Sequence, residues 1–167
     1  MSFLPCVMDI EASGFGRGSY PIEIGYIRGD GSTYCSLVRP EPEWLAWDGR
    51  AERLHGLTRA LLNEHGRAPT EIADHLNEAL AGTDVYCDGW AHDYTWLAVL
   101  FDAAGRQPRF RLRHIHELLG PDLLARWDPT CAAVRAAHPA PRHRASHDAR
   151  VLQRALALLL DPPAAAP

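Results

Sequence analysis

Residues 6–16 read CVMDIEASGFG, and the fold turns on how that stretch is taken. Cys6 to Ile10 is a short apolar run holding one acid, closed by the glycine-rich SGFGRG of residues 13–18, which is the pattern of a buried strand. Side chains alternate along a strand, so Asp9 and Glu11 point the same way, roughly 6 to 7 Å apart. Two like charges on one face repel each other, and burial makes ionising both harder still. A cation between them relieves the conflict, and an oxygen-only donor set suits a hard ion such as Mg2+ or Mn2+. While the pair stands alone, an exposed acidic strand end is the better account of it.

Two further segments supply companions. TDVYCDG (83–89) reads as a buried strand ending at Asp88-Gly89, and AHDYTWLAVLFDAAG (91–105) follows with helical spacing. Asp93 is expected to open that helix. Trp96, Leu97 and Leu100 lie three, four and seven residues further on, so the acid shares the apolar stripe that must face the sheet. The helix dipole also favours an acid in a first turn, in which case its face is incidental. Towards the carboxyl end, HPAPRHRA (138–145) is a Pro- and Arg-rich loop, and SHDARVLQRALALLL (146–160) is a strong amphipathic helix with Ser146 as the expected N-cap. Asp148 then falls in the first turn. His143 sits on the preceding loop, where an imidazole can take a proton from water near neutral pH, and His147 competes with it for that role.

Three local patterns combine here. Asp9-Ile10-Glu11 is followed by Ala12, Ser13, Gly14 and Phe15; Asp93-Tyr94-Thr95-Trp96-Leu97 has the form Asp-x-x-aromatic-Leu; His143 precedes Asp148 by five residues with Arg144 and Ala145 between. In order and spacing they resemble the three motifs of the DEDD-type 3′-to-5′ exonucleases, histidine subclass. SYPIEIGYI (19–27) stands where that family has its second strand, and LHGLT (54–58) resembles its His-Gly-Ile-Thr segment. The resemblance covers residues 5 to about 160. Ala12 stands where the family usually carries Thr, and Asp88-Gly89 where His-Asn is frequent; neither position holds metal in the family pattern.

The resemblance implies a ribonuclease H-like fold and two Mg2+ (or Mn2+) ions held by Asp9, Glu11, Asp93 and Asp148. Asp9 would bridge the ions, and His143 would accept the proton of the attacking water. Such an enzyme would release nucleoside 5′-monophosphates one at a time from the 3′ ends of single-stranded nucleic acid, RNA or DNA, short RNA included. Some members pair as homodimers. Ala12, Gly14, Phe15, His55 and Arg144 are the positions expected to meet substrate. Phe15 would either stack on the terminal base, a contact contributing about 1 to 3 kcal/mol, or anchor its loop in the core. Two other classes stay open: an inactive relative that binds nucleic acid or a protein, and a metal-dependent endonuclease or nucleotide hydrolase on the same fold.

Composition bounds these readings. A chain of 167 residues with 47% apolar content suits one domain with a real core, expected to span residues 1–160, with DPPAAAP (161–167) as a disordered tail. A net charge of -4 argues against broad attraction to long polyanions, so any grip on substrate has to be local. All 17 basic residues are Arg, clustered at Arg106, Arg109, Arg111 and Arg113 and again at Arg142, Arg144, Arg150 and Arg154. Each cluster either faces water or binds phosphate bidentately. Cys6, Cys35, Cys87 and Cys131 fall singly and read as buried free thiols. His114 and His116 do not make a zinc-protease motif, because HELLG carries Gly120 where a second His is required. No stretch suits a signal peptide, and ALALLL is too short to span a bilayer, so a cytoplasmic protein with no membrane partner is expected.

Strands are expected near residues 4–11, 20–29, 32–39, 84–88 and 110–115, with a hairpin turn at Asp30-Gly31. Helices are expected near 51–64, 69–81, 93–104, 116–125, 129–137 and 146–160. Strands first, then alternating helix and strand, gives an α/β fold with a mixed five-stranded sheet, three antiparallel strands leading, flanked by helices.

Overall fold

The computed structural model describes residues 4–139 and 143–161; Arg142 and residues 162–167 of the expected tail lie outside it. Strand β1 (Cys6–Ala12) is buried along most of its length and lies at the centre of the sheet; Cys6, Met8, Ile10 and Ala12 make one face apolar, and Val7, Asp9 and Glu11 share the other. Antiparallel to it runs β2 (Pro21–Ile27), followed by β3 (Thr33–Leu37) antiparallel to β2. Their hairpin turns at Gly31, whose φ of 85° suits glycine, and the Asp30 carboxylate accepts from the Ser32 N–H and hydroxyl. On the other side of β1, β4 (Asp84–Cys87) is parallel, and β5 (Arg111–His114) is parallel to β4. The order β3-β2-β1-β4-β5 is the mixed five-stranded, ribonuclease H-like sheet expected, with every strand within a few residues of its expected place.

Helices α1 (Gly49–His55) and α2 (Arg59–His65) precede α3 (Pro69–Leu80) and α4 (Trp90–Ala104). A 3-10 turn (Ile115–Leu118) leads to α5 (Pro121–Leu124), α6 (Trp127–Ala137) and α7 (Ala145–Leu160). Alternation along β1 divides the core. Met8 and Ile10 pack with Leu76, Leu80, Leu97 and Leu100 of α3 and α4, whereas Val7 packs with Trp127, Val134, Leu152 and Leu156 of α6 and α7. A smaller cluster of Tyr20, Ile22, Leu57 and Leu62 sits under Trp44 and Trp47 of the Pro- and Trp-rich loop.

Three local expectations are corrected. Helix α4 begins at Trp90, three residues before Asp93, with Gly89 as its N-cap. Ser146 does not cap α7: the helix begins at Ala145, and the Ala145 N–H donates instead to Glu23 Oε2 of β2 at 2.8 Å. Gly25 permits that approach, since a Cβ there would collide with the Ser146 nitrogen and the Ala145 carbonyl carbon. All four cysteines are free, but Cys35 is exposed, lying on the edge strand β3. Among the described residues no helix is long and apolar enough to cross a membrane.

Candidate active site

Strands β1 and β4 run parallel, so their carboxyl ends open side by side into the crevice where α/β sheets place ligands. Asp9 and Glu11 lie near that end of β1 on the Val7 face, the face that α7 covers. Asp93 enters from the first turn of α4, Asp148 from the first turn of α7, and His143 from the loop before it. All five line one cleft of about 260 Å³.

Glu11, His143 and Asp148 each offer a ligand atom within 4.8 Å of the other two. Asp9 and Asp93 share the cleft but stand outside that tighter set. Asp93 is 4% exposed, and its Oδ2 has no hydrogen-bond partner among the described residues. A buried carboxylate oxygen left unpaired is costly. His143 adopts a left-handed φ of 58°, a conformation that a non-glycine residue holds only where its surroundings impose it.

The electrostatics of the acids add to that cost. Burial, then the charges of Asp148, Glu23 and Asp93, push the Glu11 carboxyl up to about 8. Burial chiefly, with Asp88 adding to it against opposing hydrogen bonds, raises Asp93 to about 7. Asp9 is held well above the ordinary carboxylate range by burial first and by Asp93, Glu11, Asp148 and Glu23 around it. Crowded acids that resist ionisation, one carrying an orphaned oxygen, are a donor set that hard divalent cations fit.

The other expected residues separate into two groups. Ala12, Gly14, Phe15 and His55 line the cleft. Gly14 is pressed against the α1 N-cap, where a Cβ would meet Asp48 Cβ at 2.9 Å. Phe15 is 67% exposed at the mouth, edge-on to His92 at 5.4 Å and tilted against Trp96 at 5.8 Å, so it does not anchor its loop in the core. His55 is buried; its Nδ1 accepts the Leu57 N–H at 3.0 Å, and its Nε2 has no partner among the described residues. Arg144 is not brought into the cleft lining, because its guanidinium turns to Glu23, with Nη2 to Oε1 at 2.7 Å. His147 lies away from the cleft, on the groove between α6 and α7.

Sequence reasoning missed Arg135, whose Nε lies 3.9 Å from Asp148 Oδ1, and also His92 and Asp88 in the lining. Asp88 is fixed by the Trp127 indole N–H at 3.0 Å. Only the position of Asp88 just after a strand, at its carboxyl end, offered a sequence signal for any of the three.

The chain resembles solved structures of exonuclease I. Against the enzyme from Methylocaldum szegediense the TM-score is 0.69 at 20% identity, covering 93% of this chain and 39% of that one. The zinc-ion-bound E. coli exonuclease I complex with single-stranded DNA gives 0.74 at 13% identity, covering 97% and 42%. Its complex with a dA16 oligonucleotide gives 0.72 at 13% identity, covering 94% and 41%. This chain spans about two fifths of the length of those proteins, and at such identity the likeness is one of fold. No protein-family model matches the sequence, and no curated protein matches it significantly.

Proposed function

We propose that this chain is a metal-dependent 3′-to-5′ exonuclease of the histidine subclass, acting on single-stranded RNA or DNA and releasing nucleoside 5′-monophosphates. One observation carries the reading: Glu11, His143 and Asp148 meet within 4.8 Å in the same cleft that holds the unpartnered Oδ2 of buried Asp93. The fold likeness to exonuclease I, solved with single-stranded DNA, supports it.

Asp9, Glu11, Asp93 and Asp148 would hold a pair of Mg2+ or Mn2+ ions. When bound, such ions would neutralise charge on the phosphate and lower the pKa of coordinated water towards neutrality. His143, beside Glu11 and Asp148, takes a ring-nitrogen position suited to accept the proton of the water that attacks phosphorus. Phe15 offers an exposed face to the terminal base, and the free Nε2 of His55 offers a donor to the terminal nucleotide. Leu54 and Ala51 give the cleft an apolar wall that a sugar can rest on. Arg135, at 3.9 Å from Asp148, steadies that carboxylate and adds a positive charge near the phosphate.

Digestion of a 5′-labelled oligonucleotide with Mg2+ or Mn2+ tests the proposal. A ladder shortening from the 3′ end supports it, and Asp9→Ala should abolish that ladder. Discrete internal cuts would indicate an endonuclease, and binding without cleavage an inactive relative.

A further inference from the structure

The arginine clusters do not behave as units: among the described residues Arg109 of the first pairs with no acid, and Arg144 of the second holds Glu23. Arg106 is paired with Asp74 at 2.7 Å, Arg111 with Asp84 at 2.7 Å, and Arg113 with Glu117 at 2.6 Å. A guanidinium already neutralised by a carboxylate has little left to offer a phosphate. Arg150 and Arg154 on α7 are exposed, and among the described residues no acid pairs with either. Together with His138, His147, Ala137, Pro139 and Val151 they line a groove of about 340 Å³ between the end of α6 and α7. No acidic residue lines it, in a chain whose net charge is -4.

The spacing is regular. His147, Arg150 and Arg154 are three and four residues apart, so they form one row along α7, neighbours lying about 5 to 6 Å apart at Cβ. The same two helices wall the cleft: Asp148 is next to His147, and Arg135 lies one turn before His138. Arg150 and Arg154 follow Asp148 by two and six residues, so the groove opens on a different face of α7 from the cleft, and a strand crossing that helix meets two unpaired guanidiniums.

We propose that this groove binds backbone phosphates of the substrate strand upstream of its 3′ end, with Arg150 and Arg154 as the principal contacts. The inference rests on the nuclease reading for its ligand. It explains how an acidic chain holds a polyanion, because the attraction is confined to one groove.

The test compares the wild type with Arg150→Ala/Arg154→Ala and the charge-retaining Arg150→Lys/Arg154→Lys. Binding of 5′-labelled single strands of about four and about sixteen nucleotides is followed by anisotropy in EDTA across a salt series, and cleavage is followed separately with Mg2+. The alanine pair should weaken binding of the longer strand on the order of tenfold and flatten its log–log salt slope by roughly 1.4, at about 0.7 per lost phosphate contact. Short-strand kcat and the melting temperature should not move, and the lysine pair should keep the slope. An unchanged salt slope and affinity in the alanine pair overturn the groove while leaving cleavage, and with it the nuclease reading, intact. Groove-dependent binding without any cleavage does the reverse. Loss of binding to anionic phospholipid vesicles, with strand binding unchanged, also overturns it in favour of a lipid surface.

Discussion

Arg144 Nη2 lies 2.7 Å from Glu23 Oε1, and the other oxygen of the same carboxylate accepts the Ala145 N–H at 2.8 Å. This pair fastens the start of α7 to β2. It therefore sets where Asp148 and His143 stand against Asp9 and Glu11 of the neighbouring β1. Glu23 is 1% exposed, whereas the Arg144 side chain is 41% exposed, so the two ends are not equivalent. Arg144→Ala strands a buried carboxylate and should lower stability by about 2 kcal/mol, below the value for fully buried pairs because Arg144 is partly solvated. Glu23→Gln keeps an acceptor for Ala145 and should cost about 1 kcal/mol. Denaturant melts measure both. Arg144→Ala should reduce kcat, since the arginine acts by placing Asp148; a raised KM at unchanged stability would instead mark a direct phosphate contact.

The acids of the cleft make the metal-free protein sensitive to alkali. Glu11 is raised from 4.5 to about 8 and Asp93 from 3.8 to about 7, with Asp9 shifted the same way. A carboxyl whose folded pKa exceeds its unfolded one binds the proton more tightly when folded. Its contribution is full below the unfolded value and is lost as pH climbs through the folded one. In EDTA the melting temperature should thus fall between about pH 5 and pH 8, and Glu11→Gln should flatten the decline. Divalent ions compete with those protons, so Mg2+ or Mn2+ should raise the melting temperature more at about pH 8 than at about pH 5. A metal-free protein that grows more stable across this window would contradict the crowding of Asp9, Glu11 and Asp93.

Gly25 provides a test of the approach between β2 and α7. The atoms a Cβ would strike there, the Ser146 nitrogen and Cα and the Ala145 carbonyl carbon, are backbone and cannot rotate aside. Gly25→Ala should cost about 1 to 3 kcal/mol and depress activity by tilting Asp148 away from Glu11. Gly16→Ala, where nothing lies within 4 Å of the added carbon, is the control and should leave stability nearly unchanged. Equal melting curves for the two variants would show that α7 has more room than the structure gives it.

What the sequence revealed and what it hid follow from the range of the interactions concerned. Asp9 and Glu11 were legible because alternation along a strand is local, and Asp93 because Trp96, Leu97 and Leu100 mark the buried face of its helix. The α7 cap was not legible. Ser146 has the right chemistry, but the partner that takes the Ala145 N–H is Glu23, 122 residues away, and no local pattern signals it. In sequence Arg135 looks like any helix-face arginine and Arg144 like any loop arginine; only packing of α6 and α7 on β1 and β2 decides which acid each one meets. For the same reason the paired cluster at Arg106, Arg111 and Arg113 and the unpaired Arg150 and Arg154 could not be told apart by composition.

Phe15 separates substrate grip from fold. Its ring is 67% exposed and meets His92 edge-on and Trp96 at a tilt, so truncation removes little buried surface. Phe15→Ala should leave the melting temperature within about a degree of the wild type, as expected for an exposed side chain. Loss of one base–aromatic stack corresponds to about 1 to 3 kcal/mol, so KM on a single strand should rise roughly 5- to 150-fold. Phe15→Tyr or Phe15→Trp should restore most of that affinity, because each keeps a π-face. If the alanine variant binds and cleaves like the wild type, the terminal base does not rest on this ring, and the stacking surface must be sought on His92.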